Sequence, residues 1–302
     1  MKLDYIKCHG SGNEFVMVDA TRHNMQGIDL AELSRYACNR NGSIGSDGVL
    51  LLCEKEGVYG MRMFNPDGSE AEMCGNGIRC VARLASRYVN RSEFDMWSGK
   101  NTYHITRAKD IFGGIPTYGV AIEAKVEGKA LQIVPSLHDT LQWTAIDVGN
   151  PHIVACVEEI DFSLLKELGE RVVTLKKEFP KGVNISLVKR IGTNRIFVAT
   201  YERGAGITPS CGTAMTSSAT AMALNNLCDY DHIIEVENRG GKVQCICSKE
   251  GDKLYTRLIG NATYMSRGRI EVQGDKYSFA KQKNFNKENA LYDKFVAHIK
   301  RY

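Results

Sequence analysis

Met63-Phe-Asn65-Pro-Asp-Gly-Ser-Glu-Ala-Glu-Met-Cys74-Gly75-Asn76-Gly-Ile-Arg79 and Tyr201-Glu202-Arg203-Gly-Ala-Gly-Ile207-Thr-Pro-Ser-Cys211-Gly212-Thr213-Ala are the two stretches that organise this chain. In each, a strand-like run leads into a polar, turn-rich loop, then into Cys-Gly and a helix. One copy lies in each half, which predicts an internal duplication resting on pattern and not on local identity. A helix start offers unpaired backbone N–H groups that hold an anion and favour a thiolate. The expectation is therefore a pair of cysteines, one resting as thiolate and one as thiol, serving one anionic substrate, an arrangement suited to moving a proton from one face of a carbon to the other.

Working outward, the first half reads as strands over Met1–Ile6, Phe15–Asp19, Val49–Cys53 and Gly60–Phe64. A helix follows Asp29, its N-cap, through Cys38, with Leu30, Leu33 and Tyr36 at apolar spacing. After Cys74, Ile78, Val81, Ala82 and Ala85 mark one face of another helix. Short strands alternate with turns over 101–148, with Gly113-Gly-Ile-Pro116 as a crossing point between domains. The second half repeats the order: a strand at Ile153–Val157, a helix at Asp161–Leu168, strands at Asn184–Val188 and Ile196–Tyr201, and a helix after Cys211. The domains expected are 1–115, completed by about 262–275, then 116–261, and a basic helical tail over 276–302. Its helix, Asn286–Arg301, packs on the body or seats at a homodimer seam; the sequence leaves both open.

The chain has 302 residues, 43% hydrophobic and 25% charged, which is ordinary for a globular protein of two domains. Net charge is +4, and the tail from Gly274 carries seven Lys/Arg against three Asp/Glu, so the body is neutral. A neutral body argues against a nucleic-acid surface. No apolar run reaches a membrane span, and the first residues lack a signal core, so a cytoplasmic location is expected. The ten cysteines are scattered and do not form a disulfide framework. Cys80, two turns beyond Cys74, reads as core. Cys245-Ile-Cys247 reads as alternation along a strand, since no second metal half-site accompanies it. Gly75-x-Gly77 lacks dinucleotide-loop spacing.

The chemistry these residues suit is proton abstraction beside an amino-acid carboxylate. That C–H is a very weak acid, and its removal needs a base together with stabilisation of the carbanion. A thiolate serves as the base, and backbone N–H groups of Gly75, Asn76, Gly212 and Thr213 hold the carboxylate. Inversion takes a base on one face and an acid on the other, hence one Cys from each half. No pyridoxal signature or metal-spaced set is present, so the expected route uses no cofactor and no metal.

Together with His9-Gly-Ser-Gly-Asn13-Glu-Phe, Gly149-Asn150-Pro-His152 and Val183-Asn184, the two opening stretches resemble the diaminopimelate epimerase family in motif order over residues 2 to about 272. The resemblance implies an α/β (α+β) fold of two pseudo-symmetric domains, each a mostly antiparallel sheet curled around a central helix, with the site in the cleft between them. It implies Cys74 and Cys211 as the acid–base pair, with His152 and Glu202 assisting at the reacting centre. Asn13, Asn65, Asn150, Asn184 and Arg203 match the residues that read the substrate. Of these, Asn65, Asn150, Asn184 and Arg203 match those on its distal amino-acid group, where Arg grips a carboxylate bidentately and Asn both donates and accepts. The implied reaction is epimerisation of LL- to meso-diaminopimelate, a small-molecule amino acid, in lysine and peptidoglycan precursor synthesis. One departure stands out: Ile207 occupies a position where the family usually has Glu.

Three other functions fit parts of the pattern. A related cofactor-independent racemase of another amino acid, such as histidine, is favoured by Ile207. A thiol hydrolase would use one cysteine as a nucleophile and leave the other dispensable. A non-catalytic amino-acid-binding module would bind ligand without exchange at carbon.

Overall fold

The computed structural model describes residues 1–274 and 276–299. The described residues divide into two units, Met1–Val120 joined by residues 259–299, and Ala121–Leu258. The first contains β1 (Lys2–Gly10), β2 (Asn13–Asp19), α1 (Leu30–Cys38), β3 (Val49–Lys55), β4 (Val58–Phe64), β5 (Glu70–Ala71), α2 (Gly75–Ala85), β6 (Glu93–Ser98) and β7 (Asn101–Ala108). β8 (Thr117–Val134) runs from the first unit into the second, which continues with β9 (His138–Asp147), β10 (Pro151–Cys156), α3 (Phe162–Val172), β11 (Asn184–Gly192), β12 (Arg195–Glu202), β13 (Gly206–Thr208), α4 (Gly212–Leu224), β14 (Ile233–Asn238) and β15 (Gly241–Glu250). β16 (Lys253–Asn261), β17 (Thr263–Gln273), β18 (Lys276–Asn284) and α5 (Asn286–Ile299) complete the order.

The duplication is legible in the strand ladders. In unit 1, β1–β2 is antiparallel, β2–β3 parallel across α1, β3–β4 antiparallel, and β4 pairs both with the short β5 and, in parallel across α2, with β6. In unit 2, β9–β10 is antiparallel, β10–β11 parallel across α3, β11–β12 antiparallel, and β12 pairs both with the short β13 and, in parallel across α4, with β14. Each parallel step needs a crossover, and each crossover is a helix, as a parallel pair requires.

α1 and α3 are amphipathic and capped as their sequences indicate. Asp29 accepts from Ala31 N and Glu32 N, and Asp161 accepts from Ser163 N and Leu164 N. Their apolar stripes close two clusters, one around Leu33, Val49 and Leu51, the other around Leu165, Leu168 and Ile185.

α2 is enclosed beyond the single apolar face expected for it, and α4 is enclosed likewise. Every residue of α2 except Arg83 is buried, Arg79 included, and α4 is buried from Gly212 through Ala223 except at Thr213. The sheet wraps them: α2 packs on β1, β2, β3 and β4, and α4 on β9, β10, β11, β12, β14 and β15. A helix enclosed on all sides has no polar face to show. Two threonine hydroxyls of α4 are satisfied on the helix itself: Thr216 Oγ1 donates to Gly212 O, and Thr220 Oγ1 to Thr216 O, both at 2.8 Å.

The tail differs from an all-helical extension. Residues 276–284 form β18, antiparallel to β17, and the helix spans Asn286–Ile299; the remainder of the expected helix, to Arg301, lies outside the described residues. Of the two open placements, α5 packs on its own unit. Tyr292, Phe295 and Ile299 are buried against Ile115.

Candidate active site

Cys74 and Cys211 occupy equivalent places in the two units. Each is the N-cap of the enclosed helix, with extended backbone dihedrals of φ −143°, ψ 113° and φ −129°, ψ 114°. Gly75 and Asn76, and Gly212 and Thr213, open the first turns, where helical geometry leaves N–H groups without an intrahelical acceptor.

In unit 1 the Cys74 sulfur accepts from Gly77 N at 3.4 Å and lies 4.0 Å from Asn13 Oδ1. Asn76 Nδ2 donates to the same Asn13 oxygen at 3.4 Å. Asn13 leaves the tight β1–β2 turn, in which Ser11 and Gly12 have φ of 53° and 80°. That turn presses on the helix start: a Cβ on Gly10 would lie 2.7 Å from Asn76 O. Behind it sits the wholly buried Arg79, which donates to Gly75 O, Asn76 Oδ1 and Ser11 Oγ at 3.0–3.2 Å. Asn261 completes the brace, accepting from Ser11 N at 2.8 Å. Asn65 sits apart in the turn that starts the loop, its Nδ2 on Ser69 Oγ at 3.0 Å.

In unit 2 the expected residues form one connected row. His152 Nε2 lies 3.1 Å from Asn150 Oδ1 and 3.4 Å from Asn184 Nδ2, and Asn184 Oδ1 accepts from Arg203 N at 2.8 Å. β10 and β11 run parallel with His152 opposite Asn184, so strand register brings them together. Next to Arg203, Glu202 accepts from Thr208 Oγ1 and faces the Cys211 thiol. Cys211 Sγ is 3.3 Å from Thr213 Oγ1.

Burial reverses one expectation. It pushes the Cys74 thiol upward against the lowering pull of the Gly77 and Asn76 N–H groups and Arg79. Cys211 rises well above the usual thiol range, from burial first and then the Glu202 charge. Desolvation of a buried anion outweighs a helix-end dipole here, so both sulfurs are thiols at neutral pH. His152 is pushed down to about 3 by burial and by Arg203, and is a neutral imidazole.

Several supporting residues were not anticipated. Arg79, Asn261 and Asp47 carried no signal beyond a polar residue in a helix, a strand end and a turn. Asn238, at the end of β14, donates to Ser210 Oγ at 3.1 Å, while Gly240 N donates to Pro209 O at 2.8 Å. In unit 1, at the matching β6–β7 turn, Ser98 Oγ donates to Glu72 O at 2.8 Å. A hairpin turn thus holds the approach to each thiol. Ile207 pairs with Tyr201 across β12 and β13 and joins the apolar cluster of α3. Among the described residues, no group of three or more His, Cys, Asp or Glu side chains is arranged to hold a metal, and no helix is long and apolar enough to cross a membrane.

A duplicated α+β unit with a helix enclosed by strands in each half is the diaminopimelate-epimerase-like fold. A phenazine biosynthesis protein of the PhzF family from Bacillus anthracis superposes with a TM-score of 0.68 at 16% identity, over 90% of this chain and 100% of that one. A hydroxyproline epimerase from Agrobacterium vitis gives 0.64 at 12% identity, over 90% and 92%. The profile of the diaminopimelate epimerase family matches residues 5–110 and 144–265, and the chain belongs to that family. The diaminopimelate epimerase of Clostridium acetobutylicum is 34% identical over 100% of this chain and 96% of its own length, and that of Lactiplantibacillus plantarum is 34% identical over 99% of each.

Proposed function

We propose that this chain is an isomerase that interconverts LL- and meso-diaminopimelate by proton transfer at the α-carbon, with Cys74 and Cys211 as the two acid–base groups and no cofactor. Such an enzyme takes a small-molecule substrate and works in the cytoplasm, supplying lysine and peptidoglycan precursors. The observation that carries the reading is that a cysteine stands at the N-cap position of an enclosed helix at the same step of each half of a duplicated fold.

One sulfur takes the α-proton and the other returns a proton to the opposite face. The N–H groups of Gly75, Asn76, Gly212 and Thr213 hold the carboxylate and the charge that develops on it. The resting thiols become bases only when substrate arrives. The Glu202 charge helps keep Cys211 protonated; a substrate ammonium that pairs with Glu202 cancels that charge and lowers the thiol pKa. Neutral His152 orients the substrate without adding a charge. Asn13 reads the reacting amino-acid end, while Asn65, Asn150, Asn184 and Arg203 read the distal one.

The test is α-proton exchange in D₂O together with epimerisation by Cys74→Ala and Cys211→Ala. Each variant loses at least about 10²-fold in epimerisation. Full epimerisation by either refutes the two-base scheme. A panel of single amino acids, histidine included, tests the substrate: faster turnover of any of them than of diaminopimelate moves the activity to a related racemase.

A further inference from the structure

The Asn13 carboxamide has two ends of opposite hydrogen-bonding character, and which end faces Cys74 changes the acidity of the thiol. An oxygen accepts from S–H and favours the thiol; an N–H donates to sulfur and favours the thiolate. The structure carries a device that chooses. Asp47, in the loop between α1 and β3, accepts from Asn13 Nδ2 at 2.9 Å and from Glu14 N at 2.8 Å on one oxygen, and from Arg40 Nη2 at 2.7 Å on the other. Its own N–H donates to Glu14 O at 2.7 Å, so the carboxylate is anchored at both ends. A carboxylate only accepts, so the Asn13 nitrogen must point to Asp47 and the oxygen to Cys74 and Asn76.

We propose that Asp47 is a positioning residue that fixes the Asn13 carboxamide with its oxygen towards the Cys74 sulfur. It touches no reacting atom and acts through Asn13. While the carboxylate stands, Cys74 keeps its proton and is poised as an acid. Substrate that engages the Asn13 amide competes for the same oxygen. The inference rests on the reading of Cys74 as an acid–base thiol. Its test needs no substrate, so an error over diaminopimelate leaves it intact.

The experiment follows alkylation of Cys74 and Cys211 by iodoacetamide against pH, resolved by peptide mass spectrometry, in the full chain. Asp47→Ala frees the amide to turn, and the Cys74 midpoint falls by about one unit, with Cys211 unchanged. Asp47→Asn retains the shape of the side chain and gives a smaller shift; it carries the comparison if Asp47→Ala does not fold. The groups around the pair are Arg79 and Cys80 from α2, Glu14 from β2, Lys7 from β1, and Arg40. None of them is altered by these variants. Removing the charge of Asp47 would also lower the midpoint directly, so the decisive comparison is made in Asn13→Ala protein. There Asp47→Ala gives a clearly smaller shift, only that of the lost charge, if Asp47 works through the amide. An equal shift with and without Asn13, or no shift at all, overturns the proposal.

Discussion

Asn184 Oδ1 accepts the backbone N–H of Arg203 at 2.8 Å, while the Nδ2 of the same side chain lies 3.4 Å from His152 Nε2. One buried carboxamide thus joins the β10–β11 register to the end of β12 that carries Glu202 and Arg203. Asn184→Leu fills the same space but leaves the Arg203 N–H without its acceptor and the imidazole with Asn150 alone. The expected loss is about 1–3 kcal/mol of stability, read from urea unfolding, together with a raised KM for diaminopimelate. An unchanged KM would remove Asn184 from the substrate-reading set.

Acid sensitivity follows from two histidines. Burial pushes His9 down to about 3, aided by Arg79 and Lys7, and His152 down to about 3, aided by Arg203, from an ordinary 6.5. The unfolded chain binds these protons first as pH falls. Their contribution to stability is therefore complete above about pH 6.5 and declines as pH drops towards 3. Urea midpoints measured from pH 7.5 to pH 4 should fall, and His9→Gln should flatten the fall.

The two thiols, Cys211 buried and Cys74 half-buried, act at the other end of the scale. Cys74 and Cys211 are raised above 9.0, so the folded state holds their protons while the unfolded chain releases them. Stability from this source is intact below pH 9 and declines above it. Without substrate, both cysteines should alkylate slowly at neutral pH and faster as pH rises. Rapid alkylation of either at pH 7 would contradict the burial argument.

Beside its apolar contacts, the tail docks through a partly buried ion pair. Glu288 on α5 binds the Arg83 guanidinium and accepts from Tyr264 N at 2.7 Å, with both charged side chains largely buried. Glu288→Ala strands Arg83 against the Tyr264 ring. A loss of about 3 kcal/mol is expected for a pair broken on one side, visible as a lowered Tm. Unchanged melting would show that the pair is solvated.

The hairpin turns beside the thiols make a symmetric prediction. Asn238→Ala releases Ser210, and Ser98→Ala releases Glu72. Each should lower kcat about tenfold by loosening one thiol and should alter alkylation of that cysteine alone. A variant that changes both cysteines together would indicate general loosening of the protein.

Much of this arrangement was legible beforehand for identifiable reasons. Asp29 and Asp161 announced α1 and α3, because a capping carboxylate is a local device. The Cys-Gly steps announced α2 and α4. The apolar face read for α2 is buried, but its polar side is enclosed as well, because enclosure by a sheet is not a local property, and Arg79 at zero exposure gave no sign of its partners in the β1–β2 turn and at Asn261. The thiolate expected at rest was wrong for the same reason: the helix end is written in the sequence, but the burial that outweighs it is not. Asp47 read as a turn residue because its partner Asn13 is distant along the chain.

The sequence by itself determined the duplicated order of strand, loop, thiol and helix, and with it the family, because caps, turns and motif spacing act over a few neighbouring residues. Only the tertiary structure decided the protonation of the two sulfurs, the orientation of the Asn13 amide and the course of the tail. Those depend on desolvation and on hydrogen bonds between residues far apart in the chain, and neither exists until the sheets have wrapped their helices.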